Sequence, residues 1–322
     1  MEQTIRARES ARARPRRLSL QRRETIAGVL FALPAMLGFI FWWLGPVVAS
    51  AVLSLTDWNI LAPANWVGLH NYIGKVSAAN PVPGLIYDPI FWKSVQVTAL
   101  YAALAVPFSL LAGFLIALML ARPLRLVGLF RTIYYLPSIL PAVASALMWL
   151  WLYNPDYGLF NTVLDWAALP TSPFLTDEST VIPSIALVNV WACGGLMVIF
   201  LAALKGVPHT LYEAAAIDGA GALRRLWHVT LPVISPIILF NFLTSVIGIA
   251  ASGIVQGQFM TNGGGPNNGS LFYGLYIYRT AFQDGHMGYA MAMGWVMFLA
   301  LLVFTLLAFR MSRSRVYYED PT

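Results

Sequence analysis

Six stretches of the chain contain no Asp, Glu, Lys or Arg and are long enough to cross a lipid bilayer. Five of them have between 24 and 32 residues, and each predicts one spanning helix because about 20 mostly apolar residues suffice. The other has 53 residues, but it stays apolar only to about Val255 before a Gly-, Asn- and Pro-rich segment that lipid would not tolerate. The uncharged stretches are residues 25–56, 94–121, 132–155, 179–204, 226–278 and 285–309. The pattern predicts an all-α integral membrane protein with six transmembrane helices.

The composition agrees with this assignment and excludes other classes. Hydrophobic residues make up 58% of the chain, charged residues 11%, and the mean hydropathy is +0.68. A soluble domain usually has about a quarter of its residues charged. The apolar excess also excludes a disordered chain, and the single cysteine, Cys193, excludes a disulfide scaffold.

The distribution of basic residues predicts which side of the membrane each loop occupies. If both termini are cytoplasmic, 17 of the 20 Lys and Arg residues lie inside, and the positive-inside rule favours this orientation. We therefore expect a cytoplasmic Arg-rich tail over residues 1–24, a six-helix transmembrane domain over 25–311 and a cytoplasmic tail over 312–322. The tail over 1–24 is best explained as an anchor for the first helix, although an export signal or contacts with lipid or nucleic acid are alternatives. The external segments would be residues 57–93, 154–180 and 257–285.

The predicted helices carry no chemistry of their own. No ionisable residue lies at mid-membrane depth, where charges typically mark ion relays or catalysis. The four histidines are scattered, and the glycines at 263–265 lack the phosphate-binding pattern with Lys and Ser or Thr. We therefore expect no catalytic site, metal or bound cofactor, and any uphill work would have to come from a partner protein.

The predicted cytoplasmic loop over 205–232, between helices four and five, contains a short helix. Pro208 can open a helix because its missing N–H is not needed there, and the run 211–217 favours helix. The Asp218-Gly219 pair then predicts a turn. An Ala-rich helix of small bulk can dock into another protein, but it can equally serve as a spacer between two spans.

The same loop predicts how the fifth span begins. A second short helix would carry Arg224 and Arg225 at the lipid headgroup level. Thr230 would then cap the fifth span, with Pro232 in its first turn.

Four short motifs stand out in this half of the chain: Glu213-Ala214-Ala215, Asp218-Gly219-Ala220, Leu231-Pro232 and Thr261-Asn262-Gly263-Gly264-Gly265-Pro266. In residue type and spacing, the first three resemble the EAA loop of ABC importer permeases. The fourth is similar to the external GGP segment of the carbohydrate, or maltose-type, branch of that family. The similarity runs from about residue 25 to residue 310 and implies the type I importer permease fold.

The resemblance implies a set of partners and a location. A permease of this kind pairs with a second permease subunit, here expected to be a different chain, and with two cytoplasmic ATPase subunits that use ATP and Mg²⁺. An extracytoplasmic solute-binding protein delivers the substrate. The membrane would be the plasma membrane of a bacterium or an archaeon. By the resemblance, the element that couples the permease to the ATPase would be Glu213, Ala214, Ala215, Asp218 and Gly219.

Polar residues on the predicted fifth helix suggest a solute path. Their spacing of 4, 3, 4 and 4 residues places them within a sector of about 80° on one helix face. Small and hydroxyl residues also serve helix–helix packing, so packing is the alternative for each of them. Neutral amides, hydroxyls and an indole suit a neutral sugar or polyol, which requires no counter-ion. The path residues would be Asn241, Ser245, Ser252 and Gln256, with Gly248 on the same face and Asn189 and Trp191 on the fourth helix.

Two other functions are compatible with a membrane protein of this size. A stand-alone secondary carrier or facilitator would need no partners, but such carriers often have midplane charges or an inverted repeat, and neither is evident. An enzyme acting on lipid-linked sugars would need acidic or metal-binding residues at the interface, and the external acids form no obvious pair.

Overall fold

The computed structural model describes residues 20–77, 81–122, 125–251 and 253–312. Most of both predicted cytoplasmic tails and the predicted path residue Ser252 lie outside the described residues. Within the described part the regular structure is helical, and one isolated bridge joins Thr56 to Trp66.

Four helices in the described part are long and apolar enough to cross a membrane. Two further pairs of helices each pass as one bent span, which gives up to six spans by length and composition and agrees with the predicted number. We call them spans 1 to 6 in chain order. They are Glu24–Leu53, Pro89–Leu120, Val127–Ile139 with Ala142–Leu152, Glu178–Trp191 with Gly194–Gly206, Ala222–Ala250, and Met287–Ser312.

Among the described residues, those up to Val52 form one compact unit and those from Leu53 onward form a second. The helix of the first unit begins at Leu20, within the segment predicted as the basic tail. It runs as Leu20–Phe39, passes through a π-helical turn at Ile40–Leu44 and continues as Gly45–Leu53. From Ile26 onward its side chains are mostly apolar and largely exposed, as for a helix whose surroundings are lipid or protein.

Span 3 is bent by 97° and span 4 by 48°, each at a short break. The break in span 3 is at Leu140, which is extended (φ −62°, ψ 138°) because it precedes Pro141. The break in span 4 precedes Gly194, where an added Cβ would lie 2.5 Å from the carbonyl oxygen of Tyr134. Glycine therefore allows the backbones of spans 3 and 4 to meet at this crossing.

Spans 2, 4 and 5 share one of the buried clusters of the second unit. Gly113 on span 2 packs against span 4, since a Cβ there would lie 3.0 Å from the Leu196 Cβ. Toward the loop between spans 4 and 5, fully buried side chains include Ala117, Met197 and Ile234, one from each of the three spans. These contacts make the three helices one rigid group that carries the loop between spans 4 and 5.

Short helices occupy the segments between the spans. In the described part, six of them are α- or 3₁₀-helical, and five of these lie at the membrane face opposite the loop that joins spans 4 and 5, because they follow the other ends of the spans. The six segments are His70–Ile73, Leu85–Tyr87, Leu159–Trp166, His209–Ile217, Pro266–Asn268 and Tyr273–Tyr278.

Asp88 ties three separate segments together at the start of span 2. Its carboxylate caps the helix by accepting a hydrogen bond from the Ile90 N–H at 2.8 Å. The hydroxyls of Tyr276 and Tyr289 donate to the same carboxylate at 2.5 and 2.7 Å. Burial, together with the neighbouring Asp88, raises the pKa of Tyr276 well above its usual range, so this phenol stays a donor. Asp88 is 5% exposed, and its charge is stabilised by these three donors.

Span 5 differs from the prediction at both ends. Thr230 does not cap it: the helix begins at Ala222 and runs through a π-helical turn, Leu226–Thr230, into Leu231–Ala251. The predicted second short helix is therefore the first turn of span 5. At the far end the helix stops at Ala251, because Gly253 has a φ of +94° and lies against the ring of Phe272.

The Asp88 cluster generates a stability prediction. Tyr289→Phe removes one hydrogen bond to a buried carboxylate and should lower the free energy of unfolding by about 1.5–3 kcal/mol, a typical value for bonds to charged groups. The measurement is the thermal unfolding midpoint of the purified protein in detergent. Tyr278→Phe, at a phenol that is 40% exposed, is the control and should change stability by no more than about 0.5 kcal/mol. Equal midpoints for the two variants would contradict the role assigned to the cluster.

Candidate functional site

The loop between spans 4 and 5 presents an exposed helix, His209–Ile217, none of whose residues is buried. Leu211 and Ile217 are 41% and 87% exposed, and Leu223 just beyond the loop is 70% exposed. Apolar side chains at this density on a surface loop are typical of a protein interaction site.

Two hydrogen bonds end this helix in a defined turn. The Gly219 N–H donates to the Ala216 carbonyl at 3.1 Å, and the Ala220 N–H donates to the Ala215 carbonyl at 2.8 Å. Both bonds belong to the Schellman motif, which needs a residue with positive φ after the helix. Gly219 has a φ of +75°, and nothing lies within 4 Å of a Cβ placed there. Glycine is therefore required for the backbone conformation, and the space around it is open for a partner.

The exposed helix is tied to span 5 by two side chains. The hydroxyls of Tyr212 and Thr230 are 2.9 Å apart and hydrogen-bonded, across 18 positions of sequence. The Arg225 Nε donates to the Ala220 carbonyl at 2.8 Å. Tyr212 also packs against the buried cluster that contains Met197 of span 4. The helix is consequently held to the rigid core although its outer face is exposed.

The predicted coupling residues lie together on this loop. Glu213 is exposed and its carboxylate is 3.0 Å from the Nδ1 of His209, one helical turn earlier. Ala214 and Asp218 are exposed, and Ala215 is half-buried. The arrangement presents small side chains and a carboxylate on a short helix with a defined end. Their role in coupling stays a prediction.

Two predicted path residues on span 4 have partners within the chain. The Asn189 Oδ1 accepts a hydrogen bond from the Ser109 hydroxyl of span 2 at 2.8 Å. The Trp191 ring meets Trp149 of span 3 edge to face, with centroids 5.5 Å apart. These contacts are those of helix packing, the alternative that the sequence left open.

The predicted stripe of span 5 is divided among different environments. Asn241 is fully buried, and neither its Nδ2 nor its Oδ1 has a hydrogen-bond partner among the described residues. Ser245 is half-buried on the same helix, and Gly248 is exposed. Gln256 lies beyond the break at Gly253, in the π-helical segment Gln256–Met260, so it does not continue the helical face as predicted.

Sequence reasoning missed the residues that position this site. Tyr212 and Thr230 are far apart in sequence, and nothing in their spacing signals that they meet. The hydroxyl of Ser109 gave no signal either, since it is 80 positions from Asn189. In the described part of the chain, no group of three or more His, Cys, Asp or Glu side chains is placed to hold a metal ion.

Comparison with known proteins identifies a family over most of the second unit. The sequence pattern described as binding-protein-dependent transport system inner membrane component matches residues 105–316. This interval includes the end of span 2, all of spans 3 to 6, and the loop that carries the exposed helix.

Three curated relatives match nearly the whole chain. The probable ABC transporter permease protein YesP of Bacillus subtilis (strain 168) is 34% identical over 93% of this chain and 94% of its own length. The diacetylchitobiose uptake system permease protein NgcF of Streptomyces coelicolor is 34% identical over 93% of this chain and 86% of its own length. The lactose transport system permease protein LacF of Rhizobium radiobacter is 32% identical over 93% of this chain and 98% of its own length. All three are named as permeases, so the stand-alone carrier receives no support.

A solved structure has the same fold. A chain of a bacterial alginate ABC transporter, crystallised in complex with an alginate pentasaccharide-bound periplasmic protein, superimposes with a TM-score of 0.75. The match covers 92% of this chain and 98% of that chain at 24% sequence identity. The likeness confirms the predicted permease fold.

Proposed function

The chain belongs to the family of binding-protein-dependent transport system inner membrane components, and on that premise we propose that it forms part of the membrane path of an ATP-driven sugar importer. It is a multi-pass membrane protein of the ABC permease type. The substrate class we propose is a neutral sugar or a related polyol. Relatives named for diacetylchitobiose and lactose uptake support a saccharide.

The observation that carries the proposal is the exposed helix His209–Ile217 on the loop between spans 4 and 5. Its apolar residues Leu211 and Ile217 offer a surface that a partner can cover, while Tyr212 joins the helix to span 5. In the proposed mechanism, closure of an ATPase subunit pushes this helix, and the connection passes the movement to the spans. The proposed coupling residues are Glu213, Ala214, Ala215, Asp218 and Gly219.

The proposal includes partners that supply energy and substrate. Two ATPase subunits would bind and hydrolyse ATP with Mg²⁺, and this chain would bind no cofactor itself. A second permease subunit, expected to be a different chain, would complete the path. An extracytoplasmic solute-binding protein would deliver the sugar. The family description, which names binding-protein-dependent transport, supports this last partner.

We place the importer in the plasma membrane of a bacterium or an archaeon, with both termini in the cytoplasm. The excess of Lys and Arg in the proposed cytoplasmic segments supports this orientation. It puts the helix His209–Ile217 on the side where ATP is available, and it puts the segment that follows span 5 outside.

The proposed solute path runs along spans 4 and 5. Its residues are neutral, and neutral hydrogen-bonding groups suit sugar hydroxyls without attracting ions. The buried amide of Asn241, unpaired among the described residues, provides hydrogen-bonding capacity inside the membrane. The proposed path residues are Asn189, Trp191, Asn241, Ser245, Ser252 and Gln256.

Purification tests the whole proposal. The tagged chain is extracted gently from its native membrane, co-purifying proteins are identified, and ATPase activity is measured. We expect an ATP-hydrolysing subunit and a second permease chain, and the reconstituted complex with its binding protein should take up at least one sugar from a panel of lactose, maltose, trehalose and diacetylchitobiose. A chain that emerges alone and transports a solute without ATP would contradict the proposal.

The Gly219 turn predicts an uncoupling variant. Gly219→Leu places a branched side chain at a φ of +75°, a backbone conformation that costs an L-residue about 1–2 kcal/mol. The variant should reduce ATP-driven uptake at least about tenfold while membrane insertion is unchanged. Uptake and ATP hydrolysis are measured on the same proteoliposomes. The control is Gly221→Leu, at a φ of −66° and with nothing within 4 Å of its Cβ. Normal coupled uptake by Gly219→Leu would contradict the assigned role.

The path predicts a change in apparent affinity. Asn189→Ala, Ser245→Ala and Ser252→Ala should each raise the KM for uptake about fivefold if one hydrogen bond to the sugar is lost. Ser109→Ala is the control for Asn189, since it removes the partner of Asn189 and leaves the amide in place. If Ser109→Ala reproduces the effect of Asn189→Ala, Asn189 serves packing only. If a variant that combines Asn189→Ala, Ser245→Ala and Ser252→Ala keeps a normal KM and rate, all three residues serve packing only.

A further inference from the structure

A cavity of about 940 Å³ lies at the membrane face opposite the helix His209–Ile217. Its walls come from the end of span 3, the segment that precedes span 4, and the segment that follows span 5. Its lining includes Tyr153, Asn154, Thr176, Gln258, Phe259 and Asn262. We call this space the carboxamide cavity. Its volume lies within the range of about 300–1,000 Å³ that is usual for small-molecule sites.

The described lining of the carboxamide cavity mixes polar and apolar side chains and carries no charge. Three of its side chains are carboxamides, at Asn154, Gln258 and Asn262, and Thr176 adds an exposed side chain with a hydroxyl. Phe259, which is 43% exposed, adds aromatic surface. Among the described residues that line the space, none is Asp, Glu, Lys or Arg. An ionic ligand would find no counter-ion there, whereas a polyhydroxylated neutral ligand finds donors, acceptors and an aromatic ring.

One of these polar atoms has no partner in the described part of the chain. The Gln258 Oε1 is buried and accepts no hydrogen bond. Asn154 uses its Oδ1 to accept from the backbone N–H groups of Asp156 and Tyr157, at 2.9 and 3.2 Å, which directs its Nδ2 donor away from that turn. Because the Gln258 Oε1 is not exposed to the cavity as it stands, this side chain must turn before a ligand can donate to it, and such a bond would remove the cost of a buried unpaired acceptor.

The wall formed by the Gly-rich segment is held in place by its own hydrogen bonds. The Gly263 N–H donates to the Gly257 carbonyl at 2.9 Å, and the Ser270 hydroxyl donates to the Thr261 hydroxyl at 2.7 Å. Arg279 donates to the Gly263 carbonyl at 3.1 Å from outside the cavity. The backbone that carries Gln258 and Asn262 is therefore ordered before any ligand arrives, which lowers the entropic cost of binding.

The opposite wall is equally well supported. The Tyr153 ring is 1% exposed and packs against Phe174 and Phe160, with centroids 4.8 and 5.2 Å away. Its hydroxyl donates to the Ser184 carbonyl at 2.9 Å. This packing places Asn154, the next residue, at the edge of the cavity.

We propose that the carboxamide cavity binds a neutral saccharide outside the membrane, before the sugar enters the path along spans 4 and 5. The inference rests on the proposed function, which supplies the sugar and the orientation that places this cavity on the external side. It adds a site that none of the predicted path residues forms. Its donors and acceptors would bind sugar hydroxyls, and the exposed ring of Phe259 would contact the apolar face of a sugar ring.

Protection from a thiol reagent tests the site directly. The chain has one cysteine, Cys193, which is buried, so it is replaced by Ala and Thr176→Cys provides a single reactive thiol at the cavity. Right-side-out membrane vesicles that contain the complete importer, from cells lacking the binding protein, are treated with a membrane-impermeant maleimide. Lactose, maltose, trehalose and diacetylchitobiose are each added, and the labelling rate is measured. Thr171→Cys, exposed in the same segment but outside the lining, is the control.

The expected result is saturable protection of Thr176→Cys by the sugar that the importer takes up, with the Thr171→Cys rate unchanged. Gln258→Leu and Asn262→Gly should each weaken this protection about fivefold, the effect of one lost hydrogen bond. Glycine is used at 262 because the residue has a φ of +50°, and Asn268→Gly, with a φ of +56° and outside the lining, should leave protection unchanged.

Two results would overturn the site. If no sugar protects the thiol, the cavity is not a saccharide site. If only the binding protein protects it, the cavity is a surface for protein docking. Uptake by intact cells with the binding protein present separates these failures from that of the proposed function. If the cells take up a sugar that gives no protection, only the proposed site is contradicted and the proposed importer function is retained. If the cells take up none of the sugars, the proposed function itself is contradicted.

Discussion

The constraint on which this structure depends is that a backbone inside lipid must satisfy its own hydrogen bonds. Long uncharged runs therefore become helices, and each interruption needs a residue that makes it tolerable. Span 3 breaks before Pro141, span 4 breaks before Gly194, and span 5 ends near Gly253. At two of these points, Gly194 and Gly253, another segment packs directly against the glycine. At these two points the irregular backbone is covered by protein.

Polar side chains hold the segments together where the apolar core ends. At one face, Asp88 draws Tyr276 and Tyr289 to the start of span 2. At the other, Tyr212 and Thr230 join the exposed helix to span 5. Both connections lie at span ends or in loops, where solvation is partial and a hydrogen bond is not lost to bulk water. The molecule consequently has an apolar middle whose two faces are organised by a few polar contacts.

Local rules predicted much of this architecture. Uncharged runs predicted the spans, and the Asp218-Gly219 pair predicted the turn that Gly219 makes with its positive φ. The start of span 5 was predicted wrongly. Threonine is a common N-cap residue, but Thr230 lies inside the continuous helix of span 5, and its hydroxyl is hydrogen-bonded to that of Tyr212 in the preceding loop. Contacts between distant residues left no periodic signal: the Ser109–Asn189 bond and the carboxamides around Gln258 come together only through the packing of different spans.

The unbroken length of span 5 has a mechanical consequence. The helix has 29 residues between Ala222 and Ala250, which corresponds to a rod about 43 Å long at about 1.5 Å per residue. A tilt of only about 5° about one end would carry the other end through roughly 4 Å, since the helix transmits rotation along its axis. Tyr212 anchors the loop to one end of this lever, and the break at Gly253 frees the segment beyond the other end from following it. Leverage, rather than a change in helix length, is thus how the fold can turn a small displacement at one membrane face into a larger one near the opposite face.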